Sequence, residues 1–276
     1  MAGEQWLSCI QANEGFVKMN KFLDLLDSIR EGAPAPLGFG ASRAEKLPGI
    51  ALISLVSEDH KKAITMVSKS SVDAVIVKGL NTPSDVKKIT KPLGNVPWGA
   101  KVSELSEGQA QGYQDDGSDL VVFNVEGTAA SNLVCDQIAR VLCIDIGLEE
   151  DKLRALASLP VDVFLLSMKN VSSPWSIQDL ANLSVISRRV DKYILLEVSA
   201  PPVGKDLEAL RDIGVNGIVI DASEATAKLY KDLKEKLINM PRPKHSRRER
   251  TRAILPGASF NQDPEPQEEQ EEPDDE

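Results

Sequence analysis

A single pattern recurs four times along the chain and restricts its fold more than any other feature of the sequence. Each copy carries Asp or Asn near its start, then four residues suited to a buried strand, then a polar residue. The four copies are VDAVIVK (72–78), SDLVVFN (118–124), VDVFLLS (161–167) and VNGIVID (215–221). Apolar runs that do not alternate with polar residues are typical of parallel strands covered on both faces. The repetition therefore predicts a parallel sheet built from equivalent units.

Four further apolar runs precede the copies: IALISLV (50–56), PWGAKV (97–102), VLCIDI (141–146) and KYILLEV (192–198). Helical patterns separate the strands, and helices are predicted over 59–69, 82–91, 128–139, 149–159, 174–187 and 224–239. The segment after the third strand has the weakest helical pattern, because it is rich in glycine. Strands and helices in this alternation predict an α/β fold, a (β/α)8 TIM barrel, because closure leaves no edge strand. The alternative is an open doubly wound sheet, whose glycine-rich first turn this sequence lacks.

The segment before the first strand is predicted to contain an extra helix. Apolar residues spaced three and four apart over 14–31 indicate an amphipathic helix. It would cap the bottom of the barrel or, alternatively, form a dimer contact. GAPAPLGFGAS (32–42) follows it. The GFGAS stretch follows no strand and matches no nucleotide fingerprint, so we interpret it as a connecting turn in preference to a phosphate loop.

The composition changes after Met240. PRPKHSRRERTR is basic and interrupted by proline, and QDPEPQEEQEEPDDE is acidic. Segments of this kind bury too little apolar surface to offset the entropy of ordering, so a disordered charged tail is predicted. The predicted organisation is an N-terminal helix and loop over 1–49, a barrel over 50–240 and a tail over 241–276.

Charge and cysteine content restrict the compartment and the partners. The net charge of -10 disfavours general binding to nucleic acid or to an anionic membrane. The three cysteines show no metal-ligand spacing, and the first residues do not resemble a signal peptide. We therefore expect a cytoplasmic protein with reduced thiols, no metal and no nucleic-acid or membrane partner. A small-molecule ligand and a homo-oligomer are both compatible with the sequence, and no cofactor is identified.

Catalytic groups of TIM barrels lie at the carboxyl ends of the strands. Aligning each strand on its last polar residue predicts a ring of polar side chains there. As catalytic groups we select Lys78, Lys101, Asp145, Glu197 and Asp221, and as binding groups Ser54, Asn124 and Ser167. Less strongly indicated candidates are Glu126, Lys169, Ser199 and His60.

The chemistry of such a ring depends on its lysines. A lysine desolvated beside another cation becomes a nucleophilic amine that can form a Schiff base with a carbonyl compound, and the neighbouring acids would transfer protons. The sequence therefore suggests a lyase or isomerase acting on a small carbonyl or carboxylate metabolite. The alternative is a non-catalytic barrel, in which the lysines merely neutralise the acids and the protein serves as a scaffold or interaction protein.

The segment PVGKDLEALRDIGVNGIVID (202–221) resembles the last two units of phosphate-binding-type TIM barrels, at the level of the superfamily. That resemblance implies the barrel fold and a phosphate held by backbone N–H groups after strands 7 and 8. At the matching positions this chain has Pro201 and Pro202, which offer no N–H, and the negatively charged Asp221. We therefore expect this chain to lack the phosphate grip.

Shortening the chain tests the tail prediction. A chain ending at Met240 should unfold at the same temperature as the full chain, because the residues beyond it carry little apolar surface with which to pack. Thermal unfolding of both chains measures this. A drop of several degrees in the shortened chain would show instead that the tail packs on the barrel.

Overall fold

The structure, a computed structural model, describes residues 20–31, 46–57, 60–80, 86, 91–135 and 137–241. The GFGAS stretch and the predicted charged tail beyond Pro241 lie outside the described residues. Eight parallel strands close into a barrel in chain order. They are β1 (Ala51–Val56), β2 (Ala74–Lys78), β3 (Trp98–Lys101), β4 (Leu120–Asn124), β5 (Ala139–Ile144), β6 (Val163–Ser167), β7 (Tyr193–Val198) and β8 (Gly217–Asp221). The prediction of a TIM barrel is confirmed.

Helices follow the strands on the outside of the barrel. The described helices are α1 (Lys21–Glu31), α2 (His60–Val67), α3 (Gln109–Asp115), α4 (Glu150–Ala157), α5 (Ile177–Arg189), α6 (Lys205–Asp212) and α7 (Ala227–Ile238). Between β2 and β3, residues 86 and 91–93 are helical, and most of the predicted helix there lies outside the described residues. Most helices therefore begin and end close to their predicted limits.

The connection between β4 and β5 differs from the prediction. A short 3-10 helix, Ala130–Val134, replaces the helix expected over 128–139, and β5 begins at Ala139. The side-chain amide of Asn132 donates to the carbonyls of Leu105 and Ala129, and its oxygen accepts from a backbone N–H of α3. These side-chain bonds fix a loop conformation, which competes with a regular helix.

The Asp or Asn at the start of each repeat joins its strand to the preceding one. In every copy the side-chain oxygen accepts a backbone N–H from the preceding odd-numbered strand, and the backbone N–H of the same residue donates back to that strand. The side-chain bonds are Asp73 to Leu52 N (2.8 Å), Asp119 to Trp98 N (3.2 Å), Asp162 to Arg140 N (2.9 Å) and Asn216 to Ile194 N (2.9 Å). The backbone bonds measure 2.8–3.0 Å. Four equivalent rings therefore pair β1 with β2, β3 with β4, β5 with β6, and β7 with β8.

Helix α1 closes the amino-terminal end of the barrel. Phe22, Leu26 and Ile29 are buried in the same cluster as the inward-facing strand residues. Asn20 precedes the helix; its side-chain oxygen accepts the backbone N–H groups of Phe22 and Leu23, and its amide donates to the carbonyl of Asp119 at 2.7 Å. A capped helix with an apolar face thus seals this end, as one of the two sequence alternatives predicted.

Two glycines make room for large side chains inside the barrel. A methyl group on Gly99 in β3 would lie 2.2 Å from the backbone oxygen of Leu120, and one on Gly217 in β8 would lie 2.5 Å from Leu195 Cδ2. Rigid backbone faces Gly99, whereas the end of a flexible side chain faces Gly217. The strand interior is therefore tightest at Gly99.

Replacing Gly99 with Ala should destabilise the fold, because β4 must move to admit the methyl group. We expect the free energy of unfolding to fall by about 1–3 kcal/mol, the usual cost of overpacking a core. Gly112 of α3 is the control, because nothing lies within 4 Å of its added Cβ. Gly112→Ala should leave the free energy of unfolding unchanged or raise it by up to about 1 kcal/mol. Chemical denaturation measures both, and equal effects would contradict the packing at Gly99.

Candidate functional site

The alternation of side chains along each strand determines which polar residues reach the barrel mouth. The buried residues Ile76, Val122, Leu165, Leu195 and Val219 belong to the interior cluster. Side chains two positions later face the same way. These are Lys78, Asn124, Ser167, Glu197 and Asp221, and Lys101 is in register beside Lys78. The structure thus brings six of the predicted residues to the carboxyl end of the barrel.

An ion pair crosses the mouth. Lys101 Nζ lies 2.9 Å from Glu197 Oε2. Lys101 ends β3 and Glu197 belongs to β7, and these strands are four apart in a closed ring of eight, so they stand opposite each other. Glu197 is only 4% exposed. The pair therefore forms a charged floor between the apolar interior and the open mouth.

Lys169 completes the cluster from the loop after β6. Its Nζ lies 2.9 Å from the other oxygen of Glu197, Oε1. Burial by itself would raise the pKa of Glu197, but the hydrogen bonds and positive charges of Lys101 and Lys169 outweigh burial and lower it. The hydrogen bond to Glu197 in turn raises the pKa of Lys169. Glu197 is therefore a carboxylate, and Lys169 an ammonium, at neutral pH. Lys169 was a weaker candidate in the sequence and proves to be central.

Asp221 is held by donors of the protein itself. Its Oδ2 accepts the hydroxyl of Ser57 at 2.6 Å, and its Oδ1 accepts the backbone N–H and the hydroxyl of Ser223 at 2.9 and 2.7 Å. Burial acts to raise the pKa of Asp221, but the bonds from Ser57 and Ser223 and the charge of Lys169 lower it overall. Asp221 is therefore an ionised acceptor with its lone pairs largely used.

The predicted place of Ser54 at the mouth is wrong. Ser54 lies on the outer face of β1, fully buried, and its hydroxyl is 2.8 Å from that of Tyr230 in α7. The inward positions of β1 are the apolar residues Ala51, Ile53 and Leu55. Aligning β1 on its last polar residue therefore selected the wrong face. Two residues after Leu55 comes Ser57, which the sequence did not suggest and which contacts Asp221.

The remaining predicted residues stand at the rim. Asn124, Ser167 and Asp145 are exposed. Lys78 is also exposed, and within the described part of the chain it makes no ion pair. His60 Nε2 lies 2.9 Å from the carbonyl oxygen of Lys78. Glu126 and Ser199 lie in the loops after β4 and β7, where no contact links either one to the charged cluster.

Cys143 lies below the charged floor and was not suggested by the sequence. It shares the interior cluster of the barrel. Burial raises the pKa of its thiol to about 11, with a lowering effect from Lys101 and raising effects from Glu197 and Asp145. It is therefore a neutral thiol at physiological pH and a poor nucleophile.

Two features of the described residues bear on ligands and membranes. No group of three or more His, Cys, Asp and Glu side chains among them is placed to hold a metal ion. No helix among them is both long enough and apolar enough to cross a membrane. The described side chains at the mouth carry ammonium, carboxylate, amide and hydroxyl groups.

No protein-family model matches the sequence, and no curated protein matches it. Solved structures do match the barrel. One is 3-keto-L-gulonate-6-phosphate decarboxylase from Vibrio cholerae, at 12% identity and a TM-score of 0.53 over 68% of this chain and 99% of that one. Another is N-(5'-phosphoribosyl)anthranilate isomerase from Pyrococcus furiosus, at 10% identity and 0.52 over 68% and 99%. A third is 3-hexulose-6-phosphate synthase, at 14% identity and 0.52 over 68% and 100%. The predicted resemblance to other TIM barrels is thus confirmed as a likeness of fold alone.

Proposed function

We propose that the barrel mouth is the active site of a lyase or isomerase that acts on a small carbonyl or carboxylate compound. One observation carries the proposal: Glu197 is buried at the open end of the barrel, hydrogen-bonded at 2.9 Å to Lys101 and ion-paired at 2.9 Å with Lys169. In TIM-barrel enzymes the active site lies at this end.

The contrast between the two ends of the barrel supports a functional interpretation of the charges. Apolar residues of α1 close the amino-terminal end. A buried ion pair seldom stabilises a protein more than well-packed apolar residues of similar volume would. Apolar residues at the positions of Lys101 and Glu197 would therefore close the mouth at least as well. Charges retained at the mouth favour a role in binding or chemistry.

The geometry suggests separate roles for the charged groups. Glu197 holds the ammonium groups of Lys101 and Lys169 in place. Fixed ammonium groups of this kind can stabilise the negative oxygen that develops when a proton is removed next to a carbonyl group. Asp145 is exposed at the rim, and no contact among the described residues occupies its carboxylate. It is therefore the better candidate for proton transfer than Asp221, whose oxygens already accept three hydrogen bonds.

Lys78 is the candidate for a covalent intermediate. It is in register with Lys101 on the adjacent strand, so the two side chains leave the sheet from neighbouring positions. Lys101 is engaged by Glu197, whereas Lys78 has no acidic partner in the described part of the chain. Of the two amines, Lys78 is thus the one available to attack a carbonyl carbon, with loss of water to give a Schiff base.

A non-catalytic scaffold is the second candidate. The observation that favours it is that groups of the protein itself already engage both carboxylates, two lysines at Glu197 and two serines at Asp221, as in a purely structural polar layer. The similar barrels include an isomerase and a decarboxylase by name, which fits the enzyme proposal, although identities of 10 and 12% support the fold alone.

Borohydride trapping separates the two candidates. The protein is reduced in the presence of small aldehydes and 2-oxo acids, and labelled peptides are identified by mass spectrometry. We expect Lys78 to be labelled faster than exposed Lys61 and Lys228, because a substrate held at the mouth raises the effective concentration of its carbonyl group there. Labelling of all these lysines at one rate would exclude the Schiff base and favour the scaffold.

Replacing Glu197 with Gln tests the charged floor itself. The variant leaves two ammonium groups facing a neutral amide, so we expect a loss of about 1.5–3 kcal/mol in the free energy of unfolding, the range for hydrogen bonds to charged groups. Because the pKa of Glu197 is lowered in the folded state, its carboxylate stabilises the fold fully at any pH above the ordinary glutamate pKa of about 4.3. This stabilisation is lost as the pH falls below that value. The difference between wild type and variant should therefore be constant above about pH 5 and shrink towards pH 3.

Urea unfolding between pH 3 and pH 7 measures this difference. Glu149→Gln is the matched control, because the side chain of Glu149 pairs, among the residues that the structure describes, only with exposed Lys152 at 3.8 Å. The control should change the free energy of unfolding by less than about 0.5 kcal/mol at every pH. A Glu197→Gln difference that stays constant down to pH 3 would contradict the assigned charge state.

A further inference from the structure

We propose that the mouth accepts an unphosphorylated carboxylate compound and excludes phosphorylated ones, because the carboxylate of Asp221 occupies the place that a phosphate would take. This inference rests on the proposed function, since it names the ligand class of the same site. It derives from the turns after β7 and β8, which in TIM barrels frequently form a phosphate site.

The turn after β8 has its donors filled from within. Both the backbone N–H and the hydroxyl of Ser223 donate to Asp221 Oδ1, at 2.9 and 2.7 Å, and the hydroxyl of Ser57 donates to Oδ2 at 2.6 Å. A backbone N–H together with two hydroxyl groups is a donor set suited to an anionic oxygen ligand. In this chain the anion is a side chain of the protein itself, so it occupies these donors at any ligand concentration.

The turn after β7 offers little to replace those donors. Pro201 and Pro202 have no N–H group. The N–H of Val203 already donates to Ser173 Oγ at 3.1 Å. Pro201, Pro202 and Val203 thus supply no free backbone N–H to a phosphate entering between the two turns, and such a phosphate would also meet the negative charge of Asp221.

The charge balance at the mouth points the same way. Three ammonium groups, of Lys78, Lys101 and Lys169, lie at the mouth with three carboxylates, of Glu197, Asp221 and Asp145. The negative charge of Glu224 also acts on Lys169. A phosphate dianion adds two negative charges to this set, and a carboxylate adds one.

The lysines supply the donors for a carboxylate ligand. An ammonium group has three N–H donors. Lys169 has a side chain that is 46% exposed and pairs with Glu197 on one side, so donors remain for a ligand on the solvent side. Lys78 lies across the mouth and is exposed as well. A small 2-oxo acid could therefore place its carboxylate against Lys169 and its carbonyl group towards Lys78.

The first arm of the test uses the wild-type protein with two probes, inorganic phosphate and pyruvate, each titrated at millimolar concentration while the melting temperature is recorded. A ligand that binds only the folded state raises the melting temperature as its concentration rises. We expect pyruvate to raise it and phosphate to leave it unchanged. A rise with phosphate, or none with pyruvate, would overturn the assignment of the ligand class.

The second arm removes the internal anion. Asp221→Gly frees the N–H and the hydroxyl of Ser223, so this variant should acquire a concentration-dependent rise in melting temperature with phosphate. Asp221→Asn removes the charge but keeps an oxygen in place, so its rise should be smaller than that of the glycine variant and larger than that of wild type. The asparagine variant also provides the comparison with wild type if the glycine variant fails to fold. Asp232→Asn is the control, because it makes the same change in net charge on the exposed face of α7.

The outcomes separate this inference from the proposed function. If neither Asp221 variant responds to phosphate more than Asp232→Asn does, Asp221 does not occupy an anion site and the inference is wrong. If pyruvate binds selectively but no lysine is labelled by borohydride, the ligand class stands and the covalent chemistry fails. If labelling is selective and phosphate also stabilises the wild type, the chemistry stands and the ligand class fails.

Discussion

The barrel depends on a two-bond ring that is formed four times. In each ring an Asp or Asn at the start of an even-numbered strand exchanges hydrogen bonds with the preceding odd-numbered strand, through its side chain in one direction and its backbone in the other. These rings set the register of the strand pairs, and register decides which side chains face inward. Because alternate residues face inward, the same rings determine that Lys78, Glu197 and Asp221 reach the mouth.

The two ends of the barrel are closed by opposite means. At the amino-terminal end, Phe22 and Leu26 of α1 lie against the apolar interior, and hydrophobic burial stabilises that contact. At the carboxyl end, Lys101 and Glu197 form an ion pair across the axis, and its stabilising effect depends on both partners being present. The first closure tolerates changes of pH and salt, whereas the second depends on the charge state of Glu197. The apolar closure and the charged closure are therefore separated along the barrel axis.

The fold could be predicted from the sequence because apolar runs, helical spacing and the recurring Asp or Asn all indicate the same barrel. Most of the mouth could be predicted too, since β2, β4, β6 and β8 share one pattern. Ser54 could not be placed correctly, because a polar residue on β1 gives no sign of which face it occupies, and a buried hydroxyl on the outer face needs only a partner such as Tyr230. The helix expected before β5 failed because Asn132 binds backbone groups that are distant in sequence. The ion pair between Lys169 and Glu197 depends on the path of the loop after β6, which the spacing of residues in the sequence does not reveal.

Glu197 is shared between two lysines that belong to different parts of the molecule. Lys101 is part of the rigid strand β3, whereas Lys169 stands in the loop between β6 and α5. Under the proposed function, a ligand that drew one ammonium group away from Glu197 would leave the carboxylate to the other lysine alone. Occupancy of the mouth and the position of this loop would then be thermodynamically linked through a single side chain. By reciprocity, a change that tightened the loop would alter the affinity for that ligand by the same factor.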